Sequence, residues 1–417
     1  MTAPSRRTFL GQLAGATAVA TLVRPRVPMP RARLNPGEDY WVELKRQFTF
    51  PEGQIPMNAA NMCPGPRTVV EAVTQAVRDI DADVSYQNRS KYDALRETTR
   101  ERMARLLGVA TDEIAVVRNA TEANNIVVGG MPLKPGDEVV VVDQNHASNN
   151  VAWDVRAGRF GFTVKRVSFP TPPASVAEVV ETMTKAMSDR TRVLAFSDIS
   201  NNSGLRMPAA ELGRIARARG IYLHIDGAQT CGALQRDLRA IGCDSYTASA
   251  QKWLLGPREI GILYVRSERI AELWPGVVGN GWGNGAETTA KGARKFEAMG
   301  QRNDAATAGL AAALDFHDQV GTAQIEARVA ELGSRLHDGL LDAGFEMVTS
   351  RPPELRHGVI VLKAEQAVAQ RWHQRLYTGH NIISSPTGGL RLSPNLSNTV
   401  ADVDRVVTTL TAIRRET

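Results

Sequence analysis

The chain has 417 residues, of which 43% are hydrophobic and 23% are charged. This balance excludes a fibrous or disordered protein, and the length allows one large domain and a smaller one. The formal net charge is +6, but six arginines of residues 1–34 precede the first acid, Glu38, so the rest of the chain is formally neutral and gives no electrostatic reason to bind nucleic acid. The cysteines are too few and too scattered for a disulfide framework or a zinc site, and no metal site is predicted: Cys63, Cys231 and Cys243.

The N-terminus indicates an export signal. Arg6 and Arg7 precede a weakly apolar run, Leu10–Val23, and prolines follow that run. This order is typical of a twin-arginine signal, and a basic tail with a chance arginine pair is the alternative. No apolar stretch is long enough for a stable membrane span. We therefore expect a periplasmic or secreted protein in which residues 1–34 are signal and linker and the mature chain does not span the membrane.

Residues 60–270 alternate short apolar runs with amphipathic segments. The apolar runs predict seven strands: Ile114–Val117, Glu138–Val142, Thr163–Val167, Val193–Phe196, Tyr222–Ile225, Ser245–Thr247 and Gly261–Val265. Helical patterns lie between them, among them Tyr92–Leu107, Val176–Met187 and Ala209–Ala218. Strands separated by helices favour a mostly parallel sheet that helices cover on both faces. The predicted class is α/β, with a large domain over residues 35–310.

A second, smaller unit follows. A long helical pattern runs from Ala305 to about Gly344 and is interrupted at Gly321. The remaining elements are predicted as strand, helix, strand and helix: Gly358–Leu362, Ala367–Leu376, Leu390–Ser393 and Val400–Arg414. This mixture predicts a small C-terminal α+β domain over residues 311–417.

Ligands of a doubly wound sheet bind at the carboxyl ends of its strands, so the residues behind each strand are candidates for a site. Ala120 and Thr121 open a helix, where free backbone N–H groups attract an anion; an ordinary N-cap is the equal alternative for Thr121. His146 follows the next strand in a run of polar and small residues. Asp226 follows another apolar strand, with Gln229 behind it, and a buried acid there needs a cation or a donor.

Lys252 interrupts a stretch of small and apolar residues behind a further strand. Burial lowers the pKa of a lysine and makes its amine nucleophilic. A lone lysine more often extends to solvent, and that is the alternative. Ser249 and Gln251 flank Lys252, and Asn201 lies in a polar loop behind the fourth strand.

In combination these residues resemble the class V aminotransferase family of pyridoxal-phosphate (PLP) enzymes of fold type I. That family includes isopenicillin N epimerase-like proteins and cysteine desulfurases. The strongest motifs are His224–Gln229 and Ser249–Pro257, and Met57–Ala60 and Leu390–Ser393 agree with them. The resemblance covers about residues 50–410 and implies a large PLP-binding domain, with PLP as the cofactor.

The resemblance also implies catalytic roles. Lys252 would bind PLP covalently and transfer the Cα proton of the substrate. Asp226 would pair with the ring nitrogen, and His146 would stack on the ring. Gln229 would donate to the phenolic oxygen, and Asn201 would face the ring edge or the substrate carboxylate. His224 and the other histidines are expected to be structural.

Further residues are assigned to the phosphate, the substrate and the partner subunit. Four of them would hold the phosphate: Ala120, Thr121, Ser249 and Gln251. Arg391 would bind the substrate carboxylate, with Asn58 beside it. Gln301 stands where relatives carry a threonine that reaches the phosphate of the partner subunit, which implies a homodimer with shared active sites.

One departure from the family pattern narrows the set of reactions that we expect. Cysteine desulfurases carry a nucleophilic cysteine shortly before the carboxylate-binding arginine, and residues 378–385 contain none. We therefore expect an exported PLP enzyme that acts on the α-amino group of an amino acid or a related metabolite by transamination, epimerisation or elimination, without a persulfide. A non-catalytic ligand-binding protein on the same fold is the alternative. A nicotinamide oxidoreductase is excluded because no Gly-x-Gly-x-x-Gly turn follows the first strand.

Overall fold

The computed structural model describes residues 29–30, 36–169, 172–279 and 291–416. Arg6 and Arg7 of the predicted signal lie outside the described residues. In the parts of the chain that are described, no helix is long and apolar enough to cross a membrane.

The strands form one large sheet and two small ribbons. In chain order they are β1 (Ile55–Pro56), β2 (Ile114–Val117), β3 (Glu138–Val142), β4 (Thr163–Val167), β5 (Thr191–Ser197), β6 (Tyr222–Asp226), β7 (Ser245–Ser249), β8 (Gly261–Val265), β9 (Ile360–Leu362), β10 (Ile382–Ile383) and β11 (Leu390–Leu392). The large sheet has the order β2-β8-β7-β6-β5-β3-β4 and is parallel except for the two pairings of β8. The predicted α/β class with a mostly parallel seven-stranded sheet is confirmed.

Helices cover the sheet and build the remainder of the fold. They are α1 (Glu38–Lys45), α2 (Arg67–Ala82), α3 (Tyr86–Leu107), α4 (Ala120–Gly130), α5 (Ala147–Phe160), α6 (Val176–Ala186), α7 (Ala209–Ala218), α8 (Leu238–Ile241), α9 (Ser267–Ile270), α10 (Asp304–Val320), α11 (Thr322–Asp342), α12 (Gln366–His380) and α13 (Val400–Arg415). Strands β3 and β6 are buried at every residue, as expected for strands covered on both faces.

The structure extends two predicted strands in a way that matters for function. β6 continues to Asp226 and β7 continues to Ser249, and the two strands pair in parallel with Asp226 opposite Thr247. Both candidate residues are therefore the last residue of a buried strand. The rigid sheet fixes their backbone, and only the side chain remains to be oriented.

The smaller unit also contains residues from near the N-terminus. β1 pairs in parallel with β10, and β9 pairs antiparallel with β11. Ile55 and Met57 pack into the apolar cluster of α11, α12 and α13. Because this early segment runs beside the C-terminal strands, Asn58 comes next to Ser393. The domain limits at residues 34 and 310 stay a prediction.

Glu297 covers the open edge of the sheet. β2 is an edge strand, and its Val116 N–H donates to Glu297 Oε1 at 2.6 Å. The buried Arg100 of α3 donates to Glu297 Oε2 at 3.2 Å and to the Ile114 carbonyl at 2.7 Å. One carboxylate thus satisfies an edge N–H group and neutralises a buried cation.

We predict that Glu297→Ala lowers the free energy of unfolding by about 3 kcal/mol, because it leaves the Arg100 guanidinium buried without this partner. Urea unfolding followed by circular dichroism measures the change. Glu181→Ala removes an exposed pair with Lys185 and serves as the control, with an expected change of no more than about 0.5 kcal/mol. Equal midpoints for the two variants would contradict the role of Glu297.

Candidate active site

The carboxyl ends of β3, β5, β6 and β7 meet at one edge of the sheet. The loops and termini there carry His146, Asn201, Asp226 and Lys252. Charge interactions connect three of them, since Asp226 acts on the pKa of Lys252 and also on that of His146. Arg391 of β11 acts on both as well, so the smaller unit also contributes to the site.

Lys252 lies half-buried in the loop behind β7. Among the described residues, its ammonium has no hydrogen-bond or ion-pair partner. Burial lowers the pKa of Lys252; the charge of Asp226 opposes this shift and that of Arg391 adds to it. A lysine with these properties has a larger fraction of nucleophilic amine near neutral pH than a surface lysine.

Asp226 is 3% exposed, and donors hold both of its carboxylate oxygens. Oδ1 accepts from the Ala228 N–H at 3.0 Å, and Oδ2 accepts from Asn124 Nδ2 at 2.9 Å. Gly227 follows at once, and a Cβ there would lie 1.8 Å from the ring of Tyr246. The backbone behind the acid therefore requires glycine.

Ala120 and Ser249 meet at the N-terminus of α4. The Ala120 N–H donates to Ser249 Oγ at 2.8 Å. The N-cap of this helix is Asn119, whose side chain accepts from the Glu122 N–H at 2.9 Å, so the alternative that Thr121 is an ordinary N-cap is wrong. Thr121 lies in the exposed first turn, where a helix N-terminus attracts anions.

Gln251 connects the lysine loop to the N-terminal segment. Its carbonyl accepts from the Cys63 N–H at 2.9 Å, and its side-chain Oε1 is buried without a hydrogen-bond partner among the described residues. The Cys63 thiol contacts Asn395 Nδ2 at 3.2 Å, and burial raises the pKa of this thiol. Sequence reasoning had not placed Cys63 near Lys252, and its thiol is held in the neutral form.

His146 is the N-cap of α5. Its Nδ1 accepts from the Ser148 N–H at 3.1 Å, which places the proton of a neutral imidazole on Nε2. Burial lowers the pKa of His146, and the nearby Lys252 lowers it further. The ring is therefore neutral at pH 7, and the side chain is exposed.

Arg391 is 4% exposed and has no acidic partner among the described residues. Its guanidinium donates to the Asn201 carbonyl at 3.1 Å and to Asn58 Oδ1 at 3.4 Å, while Nε has no partner. Burial lowers the pKa of Arg391 to about 10. Asn201 Oδ1 is also buried and has no partner among the described residues, so two polar atoms beside a cation without an acidic partner are left unsatisfied within the described chain.

Two predicted residues have other partners. Gln229 donates from Nε2 to the Ala60 carbonyl at 2.8 Å and accepts from Trp253 Nε1 at 2.8 Å, which leaves one amide hydrogen for a ligand. Gln301 does not join the other candidates: its amide faces Arg89 of α3. The roles predicted for both residues stay predictions.

Asn124 and His224 were missed as contributors to the site. Asn124 contacts Asp226 directly, and His224 contacts Asn124 at 3.1 Å. The sequence did contain a signal, because residues 224 and 226 of one strand point to the same face. The partner Asn124, one helical turn beyond Ala120, requires knowledge of how α4 packs on the sheet.

The site fits a phosphorylated pyridine aldehyde. It combines the amine of Lys252, which has no partner in the described part of the chain, with the carboxylate of Asp226, the N-terminus of α4 and the Ser249 hydroxyl. The buried unpartnered atoms Gln251 Oε1 and Asn201 Oδ1 add polar groups that a ligand could satisfy.

Comparisons with known proteins agree with this chemistry. The family model for class V aminotransferases matches residues 58–406. The chain belongs to the class V aminotransferase family. It is therefore a PLP-dependent enzyme, with PLP as its cofactor.

This class V protein is similar to both epimerases and desulfurases. It is 30% identical to isopenicillin N epimerase of Streptomyces clavuligerus over 394 residues, which cover 90% of this chain and 99% of the relative. It is also 30% identical to a cysteine desulfurase of Klebsiella pneumoniae, over 77% of this chain and 83% of the relative. A solved mutant of C-DES with glycine covalently linked to PLP has a TM-score of 0.80 at 22% identity, covering 88% of this chain and 98% of that chain, and shares the fold.

We predict that Arg391→Met of this class V enzyme leaves the free energy of unfolding within about 1 kcal/mol of the wild type or raises it, because no buried acid loses its partner. Arg328→Met is the matched control. Arg328 is equally buried but pairs with Glu38 at 2.7 Å and with Glu331 at 2.9 Å, and its loss is expected to cost about 2 kcal/mol. Urea unfolding measures both, and an equal loss would show that Arg391 is a structural residue.

Proposed function

We propose that this PLP enzyme acts on the α-amino group of an amino acid, or of a metabolite derived from one, by removal of the Cα proton. The observation that carries the proposal is Arg391, a buried guanidinium without an acidic partner among the described residues, electrostatically coupled to Lys252. A planar guanidinium fits the carboxylate of an amino acid through two parallel hydrogen bonds. Binding there would place the α-amino group toward the lysine.

Each side chain has a task in this proposal. When PLP is bound, it supplies an electron sink for the pair released as a bond to Cα breaks. Lys252 holds the cofactor and transfers the proton, which its lowered pKa favours. Asp226, which Asn124 holds, would accept a hydrogen bond from the ring nitrogen, and the neutral His146 would cover the ring.

The phosphate is proposed to lie at the N-terminus of α4. Ala120, Thr121 and Ser249 offer N–H and hydroxyl groups there, and the helix dipole favours an anion. Gln251 has its amide nearby on the lysine loop. Among the described residues, one amide hydrogen of Gln229 has no acceptor and could donate to the phenolic oxygen, and Asn201 Oδ1 has no donor and could face the substrate.

Among the reaction outcomes, epimerisation is supported by two isopenicillin N epimerases that match over nearly their whole length. Elimination at sulfur is the second candidate, because cysteine desulfurases also match. A persulfide on the enzyme is not proposed, because residues 378–385 contain no cysteine and the Cys63 thiol is buried. A non-catalytic ligand-binding protein on the same fold, the alternative from the sequence, disagrees with the family match, which shows a PLP-dependent enzyme.

We predict that Lys252→Ala changes the visible absorbance of bound PLP to that of the free aldehyde and that borohydride no longer fixes the cofactor to the protein. Lys165→Ala, on the exposed strand β4, is the control and should leave both signals unchanged. A Lys252→Ala protein that keeps its colour and its borohydride-fixed cofactor would refute the assignment of Lys252.

The outcome is determined by incubating the holoenzyme with a panel of amino acids and amino-terminal peptides. Keto acid, ammonia, sulfide and D-isomer are scored in parallel, and α-proton exchange in D₂O is followed by NMR. We expect α-proton exchange with at least one substrate, and its loss in Arg391→Ala through a raised KM with PLP loading unchanged. A protein that binds PLP yet exchanges no α-proton with any substrate of the panel would contradict the proposed removal of the Cα proton.

A homodimer is also proposed. Val70 and Val77 lie on one exposed face of α2, and Val84 and Tyr86 continue this apolar surface. Gln301 lines a cleft of about 370 Å³ together with Val77 and Val84, so it lies beside the same surface. Apolar patches of this kind mark interfaces. Sedimentation equilibrium tests the proposal: a two-chain mass supports it, and a one-chain mass contradicts it.

Export by the twin-arginine route is proposed from the sequence of residues 1–34. We predict that the double variant Arg6→Lys, Arg7→Lys accumulates in the cytoplasm, because the route depends on the arginine pair. The double variant Arg31→Lys, Arg33→Lys keeps the pair and should be exported as the wild type. Cell fractionation and immunoblotting measure the distribution, and equal export of both variants would contradict the proposal.

A further inference from the structure

A polar network lies directly behind Asp226, in the interior of the large sheet. Asn124 of α4 donates from Nδ2 to Asp226 Oδ2 at 2.9 Å. Asn124 Oδ1 accepts from Thr247 Oγ1 at 2.7 Å and lies 3.1 Å from His224 Nε2. His224 Nδ1 lies 2.8 Å from Ser245 Oγ. The residues behind the acid are all completely buried: Asn124, His224, Ser245 and Thr247.

The positions of the hydrogens in this network follow from the carboxylate. A carboxylate only accepts hydrogen bonds, so the amide nitrogen of Asn124 must face Asp226 and its oxygen must face away. That oxygen then requires donors, which makes His224 a donor at Nε2. Since one nitrogen of a neutral imidazole accepts, His224 Nδ1 accepts from the Ser245 hydroxyl. Burial lowers the pKa of His224 to about 4, which agrees with a neutral ring.

The network therefore runs in one direction, and every hydrogen bond in it points toward Asp226. Its members lie in register, because His224 pairs with Ser245 and Asp226 pairs with Thr247 across β6 and β7. Burial of four polar side chains between α4 and the sheet lowers the stability of the fold unless each side chain is hydrogen-bonded. Here each of the four makes a hydrogen bond to another member of the network. Apolar residues at these positions would also pack as a core, but they would leave Asp226 Oδ2 without its donor and the orientation of the carboxylate less restricted.

We propose that Asn124 is a positioning residue that orients Asp226 toward the ring nitrogen of PLP, and that Thr247, His224 and Ser245 fix the orientation of Asn124. This inference rests on the proposed pairing of Asp226 with the cofactor. The amide of Asn124 does not touch the cofactor. It acts only through the carboxylate of Asp226, so its effect on cofactor binding depends on the nitrogen in the cofactor ring.

The test compares two cofactors on the full-length protein from which PLP has been removed. One is PLP, and the other is its 1-deaza analogue, in which a C–H group replaces the ring nitrogen. Dissociation constants are measured by fluorescence titration for the wild type, for Asn124→Leu and for Asn125→Leu. Asn125 is the matched control, because it is the next residue of the same helix, is exposed and donates only to the Thr121 carbonyl.

We expect Asn124→Leu to weaken PLP binding by about tenfold or more, the size expected when a hydrogen bond to a charged group is lost. Binding of the deaza analogue should change by less than about twofold, because that analogue makes no bond to Asp226. Asn125→Leu should leave both constants unchanged. Equal weakening of both cofactors by Asn124→Leu, or no weakening at all, would overturn the proposal.

A second variant covers the case in which Asn124→Leu does not fold. Asn124→Ala removes the amide that donates to Asp226 and adds neither a charge nor a bulky side chain next to the carboxylate. It should show the same preferential loss of PLP over the deaza analogue, and equal losses would again overturn the proposal. If the wild-type protein binds neither cofactor, the proposed function itself is refuted. If the wild type binds PLP, the comparison of the variants tests the role of Asn124 alone.

Discussion

The fold depends on one constraint: parallel strands that end at the same edge bring their last residues together. Asp226 and Ser249 are the last residues of neighbouring buried strands, and Lys252 follows only three residues later. The backbone hydrogen bonds of the sheet fix these positions before any ligand binds. The site is thus preorganised by the same interactions that stabilise the large domain.

Two cations of the site lack acidic partners among the described residues, whereas buried arginines elsewhere have them. Arg100, Arg236 and Arg328 are buried or nearly buried, and each has an acidic partner. Arg391 and Lys252 are not paired with an acid in the part of the chain described. Such charges cost stability, and a substrate carboxylate at Arg391 and a cofactor bound covalently to Lys252 would offset that cost. This difference separates the cations that we propose bind ligands from those that stabilise the fold.

Much of the fold and part of the site could be predicted from the sequence. Apolar runs of three to five residues place the strands, because strands buried on both faces are continuously apolar, and the residues behind these runs include Asp226 and Lys252. The contacts of Gln229 and Gln301 could not be predicted from the sequence, because an amide can form hydrogen bonds in many directions. Their partners, Ala60 and Arg89, are also distant in sequence. Asn124 and His224 were missed because their roles depend on contacts between α4 and two strands.

The central claim is that the amine of Lys252 and the carboxylate of Asp226 share one site. It is tested most directly by the pH dependence of acetylation of Lys252 in the cofactor-free protein, followed by mass spectrometry. Since Asp226 raises the pKa of Lys252, Asp226→Asn should shift the midpoint of Lys252 labelling to lower pH and leave that of the exposed Lys165 unchanged. An unchanged midpoint for Lys252 would contradict the account.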